Sequence, residues 1–270
     1  MTDMTDWFKV GDLVGKVYQG NCINCMETMP AECVDMVLTS PPYDNLRSYK
    51  GYSFDLDGVI AGLYKVVKPG GVVVWVVGDA TSDGSETGTS FKQALRFKDR
   101  GFNLHDTMIY GKLNYAPLTH NRYEQSFEYM FVFSKGKPKT FNPIRVPCKN
   151  AGKVEKCGLE RRRNYGKMHR MRLYKETAFR PTKNTKIAPN VFYYTSGTGK
   201  LGHPAPFPEQ LAKDQIMSWS NEGDIIYDPM CGSGTTLKMA KLLGRKWIGS
   251  EISEDYCDMA RRRVNEISRR

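Results

Sequence analysis

The apolar residues of this chain fall into short continuous runs separated by helix-patterned stretches, and the alternation extends along most of its length. Val14 to Tyr18 reads as a first strand, and Cys22 to Met29 as a short helix stopped by Pro30. Val34 to Thr39 is the next strand. Phe54, Leu56, Val59, Ile60, Leu63, Tyr64 and Val67 recur at helical spacing, and Lys68-Pro69-Gly70-Gly71 should end that helix. Val72 to Val77 is a continuous β-branched run, the mark of a strand buried on both faces. A polar loop through Thr89 leads to a helix over Phe91 to Phe97, with Phe91, Ala94, Leu95 and Phe97 as its apolar positions. Strands over Leu104 to Tyr110 and Phe127 to Phe133 flank a long polar connection. Strands alternating with helices in this way predict an α/β fold with a mostly parallel sheet and helices on both faces.

Residues 134–190 interrupt the pattern, and charge explains how. The 270-residue chain carries a formal +11, yet this one segment holds 17 Lys or Arg against Glu155, Glu160 and Glu176, a net +14 that leaves about −3 for the rest. Its cations (among them Arg161-Arg162-Arg163, Arg170, Arg172 and Lys175) are interleaved with Phe141, Tyr165, Tyr174 and Phe179, and long apolar runs are absent. A solvated face is one reading; a surface that neutralises phosphates explains the density better. The globular pattern returns at Val191 to Tyr194. A helix over Glu209 to Trp219 follows, with Leu211, Ile216 and Met217 as its packed face. Next come the strand Ile225 to Tyr227, a helix through Leu237 to Leu243, the strand Trp247 to Gly249 and a basic amphipathic helix over Ser253 to Ile267.

Two stretches carry candidate chemistry. Thr39-Ser40-Pro41-Pro42-Tyr43 ends a strand in two prolines, so the backbone after Ser40 is stiff and aimed, at the strand end where open α/β sheets place ligands. Asp228-Pro229-Met230-Cys231-Gly232-Ser233-Gly234-Thr235-Thr236 joins a buried strand to a helix through glycines, and Glu251 closes the neighbouring strand about twenty residues on. Asp228 suits a cofactor with positive groups better than a pyrophosphate. The run is neither G-x-G-x-x-G nor a Walker loop, and Ser196-Gly197-Thr198-Gly199-Lys200 lacks the hydroxyl that should follow its lysine. Cys22 and Cys25 have metal-like spacing, but no second close pair answers them, so no metal site is expected. Seven scattered cysteines, an acidic start and no bilayer-length apolar run give the expectation of a cytoplasmic protein without a membrane partner.

Ser40-Pro41-Pro42-Tyr43 together with the 228–236 run, and with His203-Pro204 to Phe207-Pro208 just upstream of it, resembles the amino-methyltransferases of DNA. These enzymes use S-adenosyl-L-methionine to methylate N4 of cytosine or N6 of adenine. The order of the two motifs is that of the circularly permuted beta subgroup. The resemblance implies a Rossmann-like methyltransferase fold in three parts: a catalytic half over 1–133, a basic target-recognition insertion over 134–190 and a cofactor-binding half over 191–270. By position it implies that Ser40 and the Pro41 carbonyl accept hydrogen bonds from the target amino group, with Pro42 stiffening the corner and Tyr43 stacking on the flipped base. It also implies that Asp228, Met230, Cys231, Gly232, Gly234 and Thr235 surround the methionine end of the cofactor and Glu251 takes the ribose hydroxyls. Asn21 would border the adenine, at a position where the family often has Asp, and Phe207 would line the pocket. Double-stranded DNA is the implied partner; a homodimer and a companion restriction endonuclease are compatible with the resemblance but not specified by it.

The chemistry is consistent without the family. An exocyclic amine is a poor nucleophile because its lone pair is delocalised into the ring. Acceptors for its two hydrogens localise that pair and aim it at the methyl group. The base must leave the duplex, and an aromatic platform offsets part of the lost stacking. Asp79, after a buried strand, either assists this step or caps the loop that follows. Pro147-Cys148 lies in the basic segment, away from any strand end where a thiolate could attack a ring. Ser at position 40 favours cytosine N4, with adenine N6 as the alternative. Methylation of RNA or protein would need the same cofactor turn, so only the substrate-side residues weigh against it.

Overall fold

The structure, a computed structural model, describes residues 10–42, 54–115, 121–157, 178–181, 183–195 and 208–269. In chain order the elements are α1 (Val10–Leu13), β1 (Lys16–Gln19), α2 (Cys22–Thr28), β2 (Val34–Thr39), α3 (Leu56–Val66), β3 (Val67–Val77), β4 (Thr81–Ser82), β5 (Ser85–Glu86), α4 (Thr89–Asp99), β6 (Asn103–Lys112) and β7 (Phe127–Ser134). Then come β8 (Arg145–Pro147), β9 (Val154–Cys157), β10 (Ala178–Pro181), β11 (Thr185–Ile187), β12 (Val191–Tyr194), α5 (Glu209–Trp219), β13 (Ile225–Asp228), α6 (Thr235–Leu242), β14 (Lys246–Glu251) and α7 (Glu254–Asn265). Two compact units emerge: residues 1–142 with 190–270, and Pro143–Pro189.

The larger unit is built on an eight-stranded sheet of order β1-β14-β13-β2-β3-β7-β6-β12. All its neighbours run parallel except β7, which is antiparallel to both β3 and β6. The carboxyl ends of β1, β14, β13, β2 and β3 therefore share one edge of the sheet, and the start of β7 joins them. β3 explains why the sheet is covered twice. Val73, Trp75 and Val77 face a core with Leu63 and Phe97 from α3 and α4, while Val72, Val74 and Val76 face a second core with Leu211, Ile216 and Trp219 from α5. Side chains alternate across a strand, so a run without polar positions must be buried on both sides.

Three local readings of the sequence need correction. Lys68-Pro69-Gly70-Gly71 does not separate helix from strand. Val67 caps α3 and already pairs with Val34, and the next pair is Met36 with Val72, so the four residues bulge out of β3. Gly70 takes a positive φ of 81° there, its N–H donates to Lys135 O (2.6 Å), and its carbonyl accepts from Lys139 N (3.0 Å). Lys135 to Lys139, grouped by charge with the basic segment, thus pack on the larger unit. On α4, Phe91 and Leu95 are 50% and 59% exposed, and the packed face is Ser90, Gln93, Ala94 and Phe97. Polar residues take that face because each meets a buried partner: Trp75 Nε1 donates to Gln93 Oε1 (2.7 Å), and Ser90 N donates to Asp79 (2.8 Å). On α5, Met217 is 42% exposed while Leu211 and Ile216 are buried. The loop expected before Thr89 also contains a two-stranded hairpin, β4 with β5.

The smaller unit consists of two antiparallel pairs, β8 with β11 and β9 with β10. Arg145 ties the first pair together, donating through Nε to Thr185 Oγ1 and through Nη2 to Thr185 O, both at 2.9 Å. Lys149, Lys153, Lys183 and Lys186 are exposed on it. Arg161 to Lys175, the densest part of the basic segment, lie outside the described residues.

The bulge in β3 yields a test of stability. A Cβ at Gly71 would stand 2.8 Å from Val67 Cγ1 and 2.9 Å from the backbone oxygens of both Asp35 and Lys68, backbone atoms next to the Val34–Val67 pair of the β2–β3 ladder. Gly71→Ala is expected to lower the unfolding free energy by about 1–3 kcal/mol, measured by urea denaturation.

Candidate active site

The site lies along the edge where the parallel strands end. β2 stops at Thr39, and Ser40 and Pro42 are half-buried around a buried Pro41. β13 lies beside β2, with Ile226 opposite Met36 and Tyr227 opposite Val37, so Asp228 ends its strand next to the Ser40 corner. Thr236 Oγ1 donates to Leu38 O (3.2 Å), stitching the first turn of α6 to the end of β2 just before the corner. Residues nearly 200 positions apart are thereby neighbours.

Asp228 is 2% exposed, and its Oδ1 accepts from Met230 N at 3.1 Å. Burial pushes its carboxyl up to about 6, while the hydroxyls of Thr236 and Thr39 and the Met230 N–H hold it lower than burial alone would. Thr39 Oγ1 is itself fully buried and makes no regular hydrogen bond. No Lys or Arg is hydrogen-bonded to Asp228 among the described residues, so the carboxylate is held out of water with neutral donors only.

Glu251 ends β14 and holds two turns at once. Its Oε2 accepts from Gly232 N and its Oε1 from Ser253 N, both at 2.9 Å. Gly20 N donates to Glu251 O (2.8 Å), which brings the end of β1 alongside. Asn21 follows as the N-cap of α2, its Oδ1 accepting from Ile23 N at 2.8 Å. Asn21 is exposed, so its carbonyl oxygen is occupied by capping while its amide nitrogen faces solvent.

Within the glycine turn the residues divide into two groups. Met230 and Gly232 are partly exposed at the edge, whereas Cys231, Gly234 and Thr235 turn inward. Cys231 is 6% exposed and burial pushes its thiol well up. Gly234 has φ 78°, and a Cβ there would stand 2.8 Å from Ala260 Cβ on α7. That glycine is demanded by turn geometry and helix packing, a different reason from close approach to a ligand. Thr235 Oγ1 accepts from Arg263 (3.2 Å). Sequence reasoning misses Arg263. The signal is present, because it stands at i+3 from Ala260 and beside Val264 on the packed face of α7.

The remaining candidates separate clearly. Tyr43 and Phe207 lie outside the described residues, as does the 196–200 look-alike. Asp79 is the loop cap: its carboxylate accepts from Ser90 N and Ser90 Oγ and from Thr87 Oγ1, which commits both oxygens to the start of α4. Cys148 sits at the end of the antiparallel β8–β11 pair, where its N–H donates to Asn184 O (2.9 Å). Past Asp79 a cavity of about 380 Å³ opens along the same edge, walled by Gly78, Arg122, Tyr123, Gln125, Phe127 and Tyr129.

Known proteins resemble this chain in sequence and in fold. The orphan methyltransferase M.BamHII of Bacillus amyloliquefaciens is 54% identical over 238 residues, which is 86% of this chain and 88% of that protein. A DNA modification methylase of Thermus thermophilus superposes with a TM-score of 0.61 at 26% identity, covering 93% of this chain and 94% of its own. The cytosine-N4-specific PvuII DNA methyltransferase superposes at 0.66 with 20% identity over 95% of each chain, a likeness of fold. The model of the DNA methylase family of N6/N4 type matches residues 34–262, from the first residue of β2 through most of α7. The chain belongs to that family, the S-adenosylmethionine-dependent enzymes that methylate exocyclic amino groups of DNA bases.

Proposed function

We propose that this protein methylates N4 of a cytosine flipped out of double-stranded DNA, with S-adenosylmethionine bound over the ends of β13, β14 and β1. The observation that carries the reading is the adjacency of the Ser40 corner and Asp228 across the β2–β13 pair. An amine acceptor and a buried anion at neighbouring strand ends bring nucleophile and methyl donor together with little further reorganisation.

In this reading Asp228 binds the ammonium of the cofactor, exchanging neutral donors for a cation, and Glu251 accepts from the ribose hydroxyls with the lone pairs left over from Gly232 and Ser253. When bound, the cofactor supplies an electrophilic methyl group with a neutral sulfide as leaving group. Ser40 Oγ and Pro41 O accept from the two amino hydrogens of the base and so direct its lone pair toward that methyl. The methylated amine then sheds one of its two original hydrogens as a proton to solvent, and Asp79 is not its acceptor because both Asp79 oxygens are engaged by Ser90 and Thr87. The cavity beyond β3 suits the ring of the base, since Phe127 and Tyr129 offer aromatic walls with polar Gln125 and Arg122 between them. The exposed lysines of the smaller unit, together with the basic run over 158–177, suit the DNA backbone. Ser40 and the cytosine-N4 specificity in the name of the PvuII enzyme favour N4 over adenine N6. The word orphan in the name of the Bacillus relative favours an enzyme working without a companion endonuclease.

Incubation with labelled S-adenosylmethionine and unmodified duplex DNA, followed by digestion to nucleosides, is expected to give N4-methylcytosine. N6-methyladenine would replace the base assignment, and no transfer to DNA would refute the reading. Ser40→Ala is expected to retain cofactor affinity and lose at least about a hundredfold in turnover, the scale on which positioned hydrogen-bond partners act.

The buried carboxylate also sets a pH dependence. The folded value of Asp228, about 6, lies above its ordinary 3.8, so ionisation costs stability above pH 6, and that cost fades as pH falls toward 3.8. Cofactor binding runs the other way because it needs the carboxylate. Affinity measured by calorimetry should be flat above about pH 7 and fall by up to about tenfold per unit below 6. Asp228→Asn should bind weakly at every pH and lose this dependence.

A further inference from the structure

The sequence makes the last helix amphipathic and basic at its C-terminal end, which suits the helix dipole, and within that basic end Arg263 is only 9% exposed. Its Nη1 donates to Ser233 O (2.7 Å), with Ser233 Oγ (2.8 Å) and Thr235 Oγ1 (3.2 Å) as further acceptors. Its Nη2 donates to Glu209 Oε1 (2.9 Å), the same oxygen that Lys238 Nζ reaches at 2.5 Å. One planar guanidinium therefore spans the glycine turn and the first residue of α5. One turn earlier on α7, Ala260 fills the space that a side chain at Gly234 would need. The turn is gripped at 233, 234 and 235 by one face of one helix.

Glu209 follows Pro208 directly, and the chain just before it is the stretch expected to line the cofactor pocket through Phe207. We propose that Arg263 is a positioning residue of the cofactor pocket, holding the Ser233–Thr235 turn at a fixed spacing from the start of α5. The inference rests on the reading of residues 228–235 as the cofactor turn. Arginine is suited to the task because its rigid fork holds Nη1, whose two N–H groups are shared among Ser233 O, Ser233 Oγ and Thr235 Oγ1, at a fixed separation from Nη2, which meets Glu209, and a lysine ammonium cannot reproduce that. The guanidinium touches neither Asp228 nor Glu251 through any hydrogen bond among the described residues. Its effect is on the shape of the turn, not on the charge that meets the ligand.

The test uses the full chain with Arg263→Met, Arg263→Lys and Glu209→Gln. S-adenosylmethionine binding is measured by calorimetry, the KM for each substrate by steady-state assay, and the unfolding midpoint by heating. Arg263→Met is expected to raise the Kd for S-adenosylmethionine about tenfold or more, the loss of charge-assisted hydrogen bonds, with the KM for DNA unchanged. Arg263→Lys should recover part of that loss, and Glu209→Gln should fall between them. A lowered unfolding midpoint with wild-type cofactor affinity in the folded protein would overturn the proposal and leave Arg263 a purely structural residue. Should Arg263→Met fail to fold, wild-type Kd in both Arg263→Lys and Glu209→Gln would overturn it equally. Asp228→Asn, run in parallel, separates the two ideas. Undiminished cofactor binding there would refute the cofactor turn itself, whereas loss there with normal binding in the Arg263 and Glu209 variants would refute only the role given to Arg263.

Discussion

Everything at this site depends on the pairing of β2 with β13. It joins a strand from the first sixth of the chain to one from the last fifth, and it is parallel, so both strands deliver their carboxyl ends to one edge. Asp35 secures the opposite end of the pair: its Oδ2 accepts from Ile225 N (2.9 Å), while Lys68 Nζ donates to both of its oxygens (2.7 and 2.8 Å). Thr236 secures the near end through Leu38 O. Because both faces of these strands are packed, a slip of one residue would exchange Ile226, in the α5 core, with Tyr227, in the α2–α3 core. Register is thus enforced by packing, and the placing of Asp228 beside Ser40 follows from it.

Asp228 contrasts with the polar groups around it. Tyr227 OH and Ser250 Oγ lie 2.8 Å apart and Ser250 Oγ donates to Pro229 O, a buried chain in which the donors are used. Asp228 has one backbone donor and neutral hydroxyls, too little to keep a buried carboxylate at its ordinary pKa. A fold selected for stability alone would do better with an asparagine or an apolar residue there. An anion kept at such a cost, at a strand end and beside a proline-stiffened acceptor, is the feature on which the proposed binding of the cofactor's ammonium rests. Glu251 is the counterpart: its oxygens already hold two turns through backbone N–H groups, so it shapes the pocket as well as facing it.

The strands and helices were legible where burial is complete. Val34 to Thr39 and the helix Glu209 to Trp219 have the bounds that their patterns suggest. Reading failed where a polar residue occupies a packed face because of a partner far away in sequence: Gln93 under Trp75, Ser90 on Asp79, Arg263 on Ser233 and Glu209. Periodicity assigns faces by hydrophobicity and cannot see such a partner, so it put Phe91 and Leu95 inside and gave Arg263 no role. It failed too at Lys68 to Gly71, where a Pro-Gly-Gly run that normally ends elements is taken up as a bulge, because Lys135 and Lys139 supply the hydrogen bonds that a loop would have found in water. The reversal of β7 had no local signature at all, since a buried strand reads the same in either direction.

The glycine turn shows how one motif can combine two demands. Gly232 stands at the open edge, where its N–H is spent on Glu251 and its lack of a side chain leaves the edge clear. Both glycines take a positive φ, 48° at Gly232 and 78° at Gly234, and Gly234 must also leave room for Ala260 on α7. A motif match treats the two glycines alike, yet only the first is partly exposed. The distinction also gives the last helix its reason. With Ala260 against Gly234 and Arg263 on Ser233 and Thr235, α7 supports the turn from behind, and the open side can then be shaped without being filled.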